Sequence, residues 1–501
     1  MKKLVGFVVI LAALVLGCYY GMGVLTERTL KKNIDVLNQS NGVTVVLKQY
    51  KRGWFTSDAM LDWTLTVPAR DVNINGQTIK EPEQTFTAQM PLGIDHGPFI
   101  FANSNIMFGL GYANSHVLLP AQYEDKFTEQ YTPESIKPSL ELSAFVSYLN
   151  NTCLQLIAPK FNLISKQGNN TFQWLGMSSE VKITSNKKHI SGQLMINGLT
   201  WLKDHVKGVL TNIKSDYDLH VTPDGLYLGD ANLYLPAAVV TKDNDALFEV
   251  KDLEAHSSSQ VTKGLFSSSF KLALNRLFLN QKEYTSCSVD LSIKNLDSNV
   301  LTDMNSKLSK THQGSDSDRQ RVLLSMLPDI SLLVNKGAVF EMSDLTIGMP
   351  NGVIKGKVII SLPHENVTNP FQLIQKIKGN GKLSVSAAVL KTCLSDSLRH
   401  RIQASVTFQQ AMAQSAETQS EQNKSLTVEP PATEPAQAKP PVITAAEIDQ
   451  QAMTQADQKI AELLKSGVIL AQGMDYVTEF KVADGQLLIN GKAFNPAMLQ
   501  L

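Results

Sequence analysis

The chain lacks an excess of charge of either sign. Lys plus Arg equals Asp plus Glu at 46 each in 501 residues. That argues against a nucleic-acid partner, which would call for a basic patch or excess. It also lacks closely spaced cysteines. Cys18, Cys153, Cys287 and Cys393 are scattered, so there is no zinc ribbon and no Cys-x-x-Cys redox motif. Three of the four lie in the body, so at most one internal disulfide can form there, and buried single thiols are the simpler expectation. Histidines stand at 96, 116, 189, 205, 220, 256, 312, 364 and 400, and none forms His-x-x-x-His or His-Glu-x-x-His. No Gly-x-x-x-x-Gly-Lys-Ser/Thr loop, strand-linked Gly-x-Gly-x-x-Gly or Gly-x-Ser-x-Gly elbow occurs. The expectation is no catalytic residue, no metal and no cofactor.

Long apolar runs are absent with one exception. Met1-Lys2-Lys3 precedes Leu4 to Thr26, which holds no charged side chain. A helix over such a stretch rises about 1.5 Å per residue and can cross the ~30 Å hydrocarbon core. Three readings stay open. A cleaved signal would have a shorter apolar region and a small-residue cleavage site. A lipoprotein would place Cys18 after Val15-Leu16-Gly17 and then turn polar, yet Tyr19, Tyr20, Met22, Val24 and Leu25 follow. An uncleaved signal anchor fits best. Lysines and arginines flank both ends, and long C-terminal bodies translocate regardless of them. The signal-like N-terminus therefore favours a single-pass protein with an outward-facing body, in the periplasm and anchored in the bacterial inner membrane if the host is a Gram-negative bacterium.

Beyond the anchor the chain is long enough for two or three domain-sized cores. Charged residues make up only 18%, which suits an extracytoplasmic β-rich protein. Leu30, Ile34 and Leu37 fall at helical spacing and predict a helix over 26–38. The period then drops to 2. Val43–Leu47 and Met60–Val67 read as strands, and Asn75-Gly76 reads as a hairpin turn. Hairpins are also predicted over 220–228 and 345–362, with strands at 289–293 and 382–389. Helices are predicted near 139–150, 301–312 and 317–336, the last broken by Pro328. Hairpin-sized units recur without a fixed period.

Residues 415–443 carry five prolines and no aromatics, which predicts a disordered linker. Thr444-Ala445-Ala446-Glu447 then reads as a capping box opening a helix, followed by a hairpin around Asp484-Gly485. The expected fold class is α+β, mainly antiparallel β with packing helices, after an N-terminal transmembrane helix. The expected division is an anchor (1–26), two β-rich lobes (27–215 and 216–414), the linker (415–443) and a C-terminal helix and hairpin packing back on the body (444–501).

Three segments together carry a family likeness: Gln49 to Ser57, including Tyr50, Arg52, Gly53 and Phe55; Asp95-His96-Gly97-Pro98-Phe99; and Ala483 to Lys492, including Asp484, Gly485, Asn490 and Gly491. In this order they resemble the YdgA-like family of Gram-negative bacteria, over essentially the whole chain. The resemblance implies an inner-membrane protein without an established activity, and it transfers no catalytic residue. A looser architectural similarity links the chain to AsmA-like envelope proteins.

The motifs have bland readings beside chemical ones. Asp95 could orient His96 for general-base work, but neighbours in an extended chain point to opposite faces. A structural turn at Gly97-Pro98 is the favoured reading. Lys51-Arg52-Gly53-Trp54-Phe55 could touch a membrane surface. The favoured reading is a hairpin corner with Trp54 or Phe55 entering the core. Cys18 is the one candidate lipidation site. The expected partners are the bilayer through residues 4–26, lipid-like ligands and envelope proteins. The leading functional expectation is a non-enzymatic protein that buries acyl chains against β-sheet faces or scaffolds partners. An Asp95/His96 enzyme and a protein-binding adaptor are the alternatives.

Overall fold

A computed structural model describes residues 2–38, 43–67, 69–74, 77–102, 105–309, 321–322, 324–365, 372, 375–424 and 444–494. The chain divides into two compact units. One comprises Met1–Glu283, Ser292–Ala338 and His364–Pro370, the other Tyr284–Leu291, Val339–Pro363 and Phe371–Leu501.

The first unit opens with α1 (Lys2–Leu37), a single helix that runs through both the apolar segment and the predicted helix over 26–38. The side chains before Leu14 lie outside the described residues. Among the described residues no helix is long and apolar enough to cross a membrane. Asn38 ties the end of α1 to the sheet, accepting from the Val45 amide at 2.7 Å and donating to its carbonyl at 2.9 Å. On α1, Ile34 and Leu30 pack against Val45, Leu61 and Met90, as their helical spacing predicts.

The sheet that receives α1 begins with β1 (Val43–Arg52), β2 (Thr56–Val67), β3 (Arg70–Ile74), β4 (Gln77–Glu81) and β5 (Gln84–His96). It continues through β6 (Ile100–Ala102), β7 (Asn105–Met107), β8 (Gly109–Leu118) and, after the short α2 (Glu124–Gln130), β9 (Ser139–Ser147). The order β1–β2–β5–β8–β9 is antiparallel throughout. β3–β4 and β6–β7 are separate hairpins; Asn75-Gly76 itself lies outside the described residues. β9 corrects the helix predicted over 139–150. Its apolar run serves two faces at once. Phe145 packs on the cluster around Ile100, Ala102 and Tyr112, while Leu142 packs on the cluster around Ile34.

From there the sheet is a meander of long hairpins. Its strands are β10 (Thr152–Ala158), β11 (Phe161–Ile164), β12 (Thr171–Trp174), β13 (Met177–Ile183), β14 (His189–Ile196), β15 (Leu199–Lys203), β16 (Val206–Leu210) and β17 (Ile213–Val221). β18 (Tyr227–Lys242), β19 (Asp245–Thr262) and β20 (Leu265–Leu279) follow, then β21 (Lys282–Asp297), whose residues Tyr284–Leu291 belong to the second unit. β17 runs across the residue 215/216 boundary. Left-handed residues mark the turns at Asn150, Gly168, Lys187, Asp204, Gly225, Asn244, Gly264 and Asn280, so the hairpins recur far more regularly than the sequence suggested.

One face of this meander is polar and the other apolar. Residues opposite one another in antiparallel strands share a face. Ser143, Gln155, Glu180, Gln193, Asp216, Asn232, His256 and Lys271 pair in a continuous row across β9, β10, β13, β14, β17, β18, β19 and β20. One residue along, on the other face, the row is Leu142, Leu156, Ser179, Leu194, Ser215, Leu233, Ala255 and Leu272. A second panel, β11–β12–β15–β16 with the far halves of β18, β19 and β20, carries its own apolar row. That row is Phe161, Trp174, Leu199, Leu210, Ala238, Val250 and Leu277. The apolar pattern steps by three residues between the panels, as in Trp174 to Met177, Ile196 to Leu199 and Val250 to Leu253. A regular pleat would send such a pair to opposite faces. At this crease Gly176 (φ 101), Gly198 (φ 119) and Asp252 (φ 49) interrupt the pleat.

The unit also holds α3 (Ser298–Ser309) and α4 (Leu327–Val334), with Pro328 in the first turn of α4, where its missing amide costs nothing. The end of the helix predicted over 301–312, and Leu323, lie outside the described residues.

In the second unit β22 (Val339–Met349), β23 (Gly352–Ser361), β24 (Lys378–Ser386), β25 (Leu470–Gln472), β26 (Asp475–Ala483), β27 (Gln486–Ile489) and β28 (Lys492–Ala493) form antiparallel pairs. Two helices pair beside them, α5 (Ala387–Lys424) and α6 (Ala445–Ser466). α5 corrects the linker's start, since residues 415–424 are helical; residues 425–443 lie outside the described residues. The capping box forms as predicted, with Thr444 Oγ1 accepting from Glu447 N and Glu447 accepting from Thr444 N. Ile448, Ala452, Ala456 and Ile460 form the buried stripe of α6.

Candidate functional site

Two of the three family-like segments meet on α1. The β1–β2 turn brings Tyr50, Arg52, Gly53, Phe55 and Ser57 beside the end of β5, where Asp95, His96, Gly97, Pro98 and Phe99 lie. His96 N donates to Phe55 O at 3.0 Å, joining the two turns. The partner that sequence reasoning missed is the far part of the apolar segment, Tyr19 to Glu27.

The contact is close. Tyr19 is 8% exposed, donates its hydroxyl to Phe99 O at 2.8 Å and sets its ring edge-on to Phe55 at 4.8 Å. Gly97 has φ 129, and a Cβ there would stand 1.9 Å from the Tyr19 ring. A Cβ at Gly23 would stand 2.6 Å from His96 Cε1. Both positions need glycine so that helix and turn can approach. Arg52 lies over the Tyr20 ring at 5.0 Å and pairs with Glu27 at 3.2 Å. Residues 19–26 of the predicted span are therefore part of the body's own packing.

Beneath α1 lies a buried polar pair. His96 and Ser57 are each 1% exposed, and His96 Nε2 bonds Ser57 Oγ at 2.9 Å. Nδ1 is buried without a partner of hydrogen-bond geometry. Burial pushes the His96 pKa down; the backbones of Tyr19 and Thr56 and the Asp95 charge offset this in part, and Arg52 adds to it. Burial raises Asp95, with His96 opposing. Tyr50 is raised mainly by burial too, with Ser57 nearby drawing it back. A serine–imidazole pair at this distance is the starting geometry for nucleophilic catalysis. Here neither ring nitrogen bonds the Asp95 carboxylate, and α1 seals the ring through Gly23. As packed, the pair is closed from solvent and its ring lies against Gly23 of α1.

The other expected positions lie at turns and on α1. Trp54 and Phe55 are 57% and 50% exposed, correcting the expectation that one enters the core. Asp484 and Gly485 make the left-handed β26–β27 turn, and Asn490 and Gly491 the β27–β28 turn. Asn490 accepts from Glu479 N at 2.7 Å and donates to Gly467 O and Val468 O at 2.9 Å, pinning the end of α6 to β26. Cys18 is exposed one residue before Tyr19; all four cysteines are free, and none is fully buried. Among the described residues no cluster of three or more His, Cys, Asp or Glu could hold a metal ion.

The second candidate is the apolar side of the meander. Between Ser139 and Glu283 the fully buried apolar side chains, among the described residues, are Leu226 and Leu228. Leu154, Leu233 and Phe270, all on the apolar face, are each 39% exposed. Among the described residues, α1 packs on β1, β5 and β8, and α5 on β23, β24 and β26.

No curated protein and no solved structure matches the chain. A bacterial protein family of unknown function, DUF945, matches residues 1–497, in keeping with the likeness carried by the motifs. On that match over nearly its full length, the chain belongs to the bacterial DUF945 family.

Proposed function

We propose that this is a membrane-anchored, non-enzymatic envelope protein whose β meander carries lipid-like ligands on its apolar face. The observation that supports this reading is the two-faced sheet. Eight strands at about 4.8 Å spacing make a surface roughly 34 Å across. The 16 residues of β18 run about 53 Å along it. Full burial of one Leu or Phe side chain is worth about 1.5–3 kcal/mol. A half-open face of such residues gains much from an acyl chain laid on it, and extended apolar surfaces of this kind mark binding sites. The apolar segment at 4–18 keeps the body at a bilayer, and the periplasmic side suits the signal-like N-terminus. The buried, sealed Ser57–His96 pair supports a holding role over catalysis.

Native mass spectrometry of the full chain, released from membranes in mild detergent, tests the reading. Phospholipid-mass adducts are expected, lost when Leu253 and Leu274 on the apolar face are both changed to Asp. A chain without adducts, or adducts indifferent to these changes, overturns lipid carriage and favours a scaffold for protein partners.

A further inference from the structure

We infer that the rim around the foot of α1 is a membrane seat: an aromatic collar that sinks into the headgroup–acyl boundary and holds the body against the bilayer. This inference rests on the membrane-anchor reading above.

The first argument is length. From Tyr19 onward α1 is packed on the body, which leaves Leu4 to Cys18, fifteen residues, for the bilayer. At about 1.5 Å per residue that is about 22 Å, short of a ~30 Å hydrocarbon core. A span that is too short thins the bilayer or draws its flanking residues into it. Here the flanking residues are the body's own rim.

The second argument is what the rim displays. Trp54, Phe101 and Leu149 are 57%, 69% and 76% exposed, and Phe55, Phe99 and Phe108 stand open beside them. Trp54, Phe55, Phe99 and Phe108 are tied to the exit of α1. The Trp54 ring lies tilted against Tyr20 at 5.4 Å, and Phe55 meets Tyr19. Phe99, whose carbonyl holds Tyr19, packs its ring on Phe108 at 5.6 Å. Tyr148, next to Leu149, donates to Pro98 O and lies within electrostatic reach of Tyr19 and Cys18. Water is a poor solvent for such a group, whereas aromatic rings favour the membrane interface. Exposed Lys51 and the Arg52–Glu27 pair follow on the same turn and on α1, at the level where headgroups meet water.

The test uses the full chain in vesicles of phosphatidylethanolamine and phosphatidylglycerol, with and without bromine on the acyl chains. Trp54 is isolated as the difference between the natural chain and Trp54→Phe. Leu149→Trp and Phe101→Trp add reporters at exposed positions that leave the core untouched. The expected result is quenching of all three by brominated lipid and protection from aqueous iodide. Iodide quenching without bromine quenching overturns the seat. Protection from both quenchers also overturns it, and assigns the collar to a protein partner. Alkaline washing of the same vesicles separates the two readings. A chain that washes off has no anchor, and the collar falls with it. A chain that stays while Trp54 remains in water keeps the anchor and loses the seat.

Discussion

At the foot of α1, polar side chains are buried and glycines make room for a helix; across the meander, few side chains are buried and its close-approach glycines, such as Gly198, Gly208 and Gly229, make room only for neighbouring strands. The first region brings Tyr19, Gly23, Ser57, His96 and Gly97 to contact distances that admit no extra atom. The second repeats an alternation of apolar and polar residues over β9 to β20, with Ser179 and Ser215 tolerated even in an apolar row. A joint that must hold one geometry concentrates its information in a few residues. A surface that must only be apolar spreads it over many. The family-like motifs lie at the joint and the α6 pin for this reason, while the proposed ligand surface carries no motif.

The comparison breaks most sharply at Gly97. Gly97→Val forces a branched side chain into the Tyr19 ring at a positive φ and is expected to cost about 3 kcal/mol. Denaturant unfolding of the full chain in detergent measures it, and limited proteolysis after α1 shows whether the helix has lifted. His96→Gln, which loses the matched bond to Ser57, is expected to cost about 2 kcal/mol.

A smaller effect follows from pH. His96 is held neutral by burial, so its pKa lies below the unfolded value near 6.5. The unfolded chain then binds the proton more readily, and stability rises with pH. The His96 contribution is complete above about pH 6.5 and is lost as pH falls through the depressed value. Asp95, raised by burial, acts in the opposite sense, losing stability as pH rises above its unfolded value near 3.9. Unfolding midpoints across this range should fall on acidification in the natural chain. In His96→Gln that slope should vanish or reverse. An unchanged slope would place the titration elsewhere.

The smallest effect on stability belongs to the meander. Leu253→Asp with Leu274→Asp removes two partly buried side chains and sets two carboxylates opposite one another, and is expected to cost about 1 kcal/mol, less than either change at the joint. A loss as large as that of Gly97→Val would mean the apolar face is a core covered in solution.

Much of this was legible from the sequence. The capping box at Thr444, the hairpins at Asp224-Gly225 and Asp484-Gly485 and the packing of Leu30 and Ile34 follow from local rules. β9 was misread because its consecutive apolar residues serve two faces, which removes the alternation that marks a strand. The regular meander was hidden by its crease, where apolar residues three apart mimic helical spacing. At the candidate site both turns were visible as motifs. Their partner was not, because Tyr19 to Glu27 read as lipid-facing and the contacts span up to 80 residues of sequence. Gly23 in an apolar helix was the available signal, since small residues there permit close approach.

The central claim, that one face of the meander carries acyl chains, is tested most directly by a photoreactive amino acid placed at neighbouring positions of β19 in cells with labelled phospholipid. Leu253 and Glu254 lie on opposite faces of the same strand. Labelled lipid crosslinked at 253 and not at 254 is the predicted result; equal labelling at both, or labelling at neither, contradicts the account.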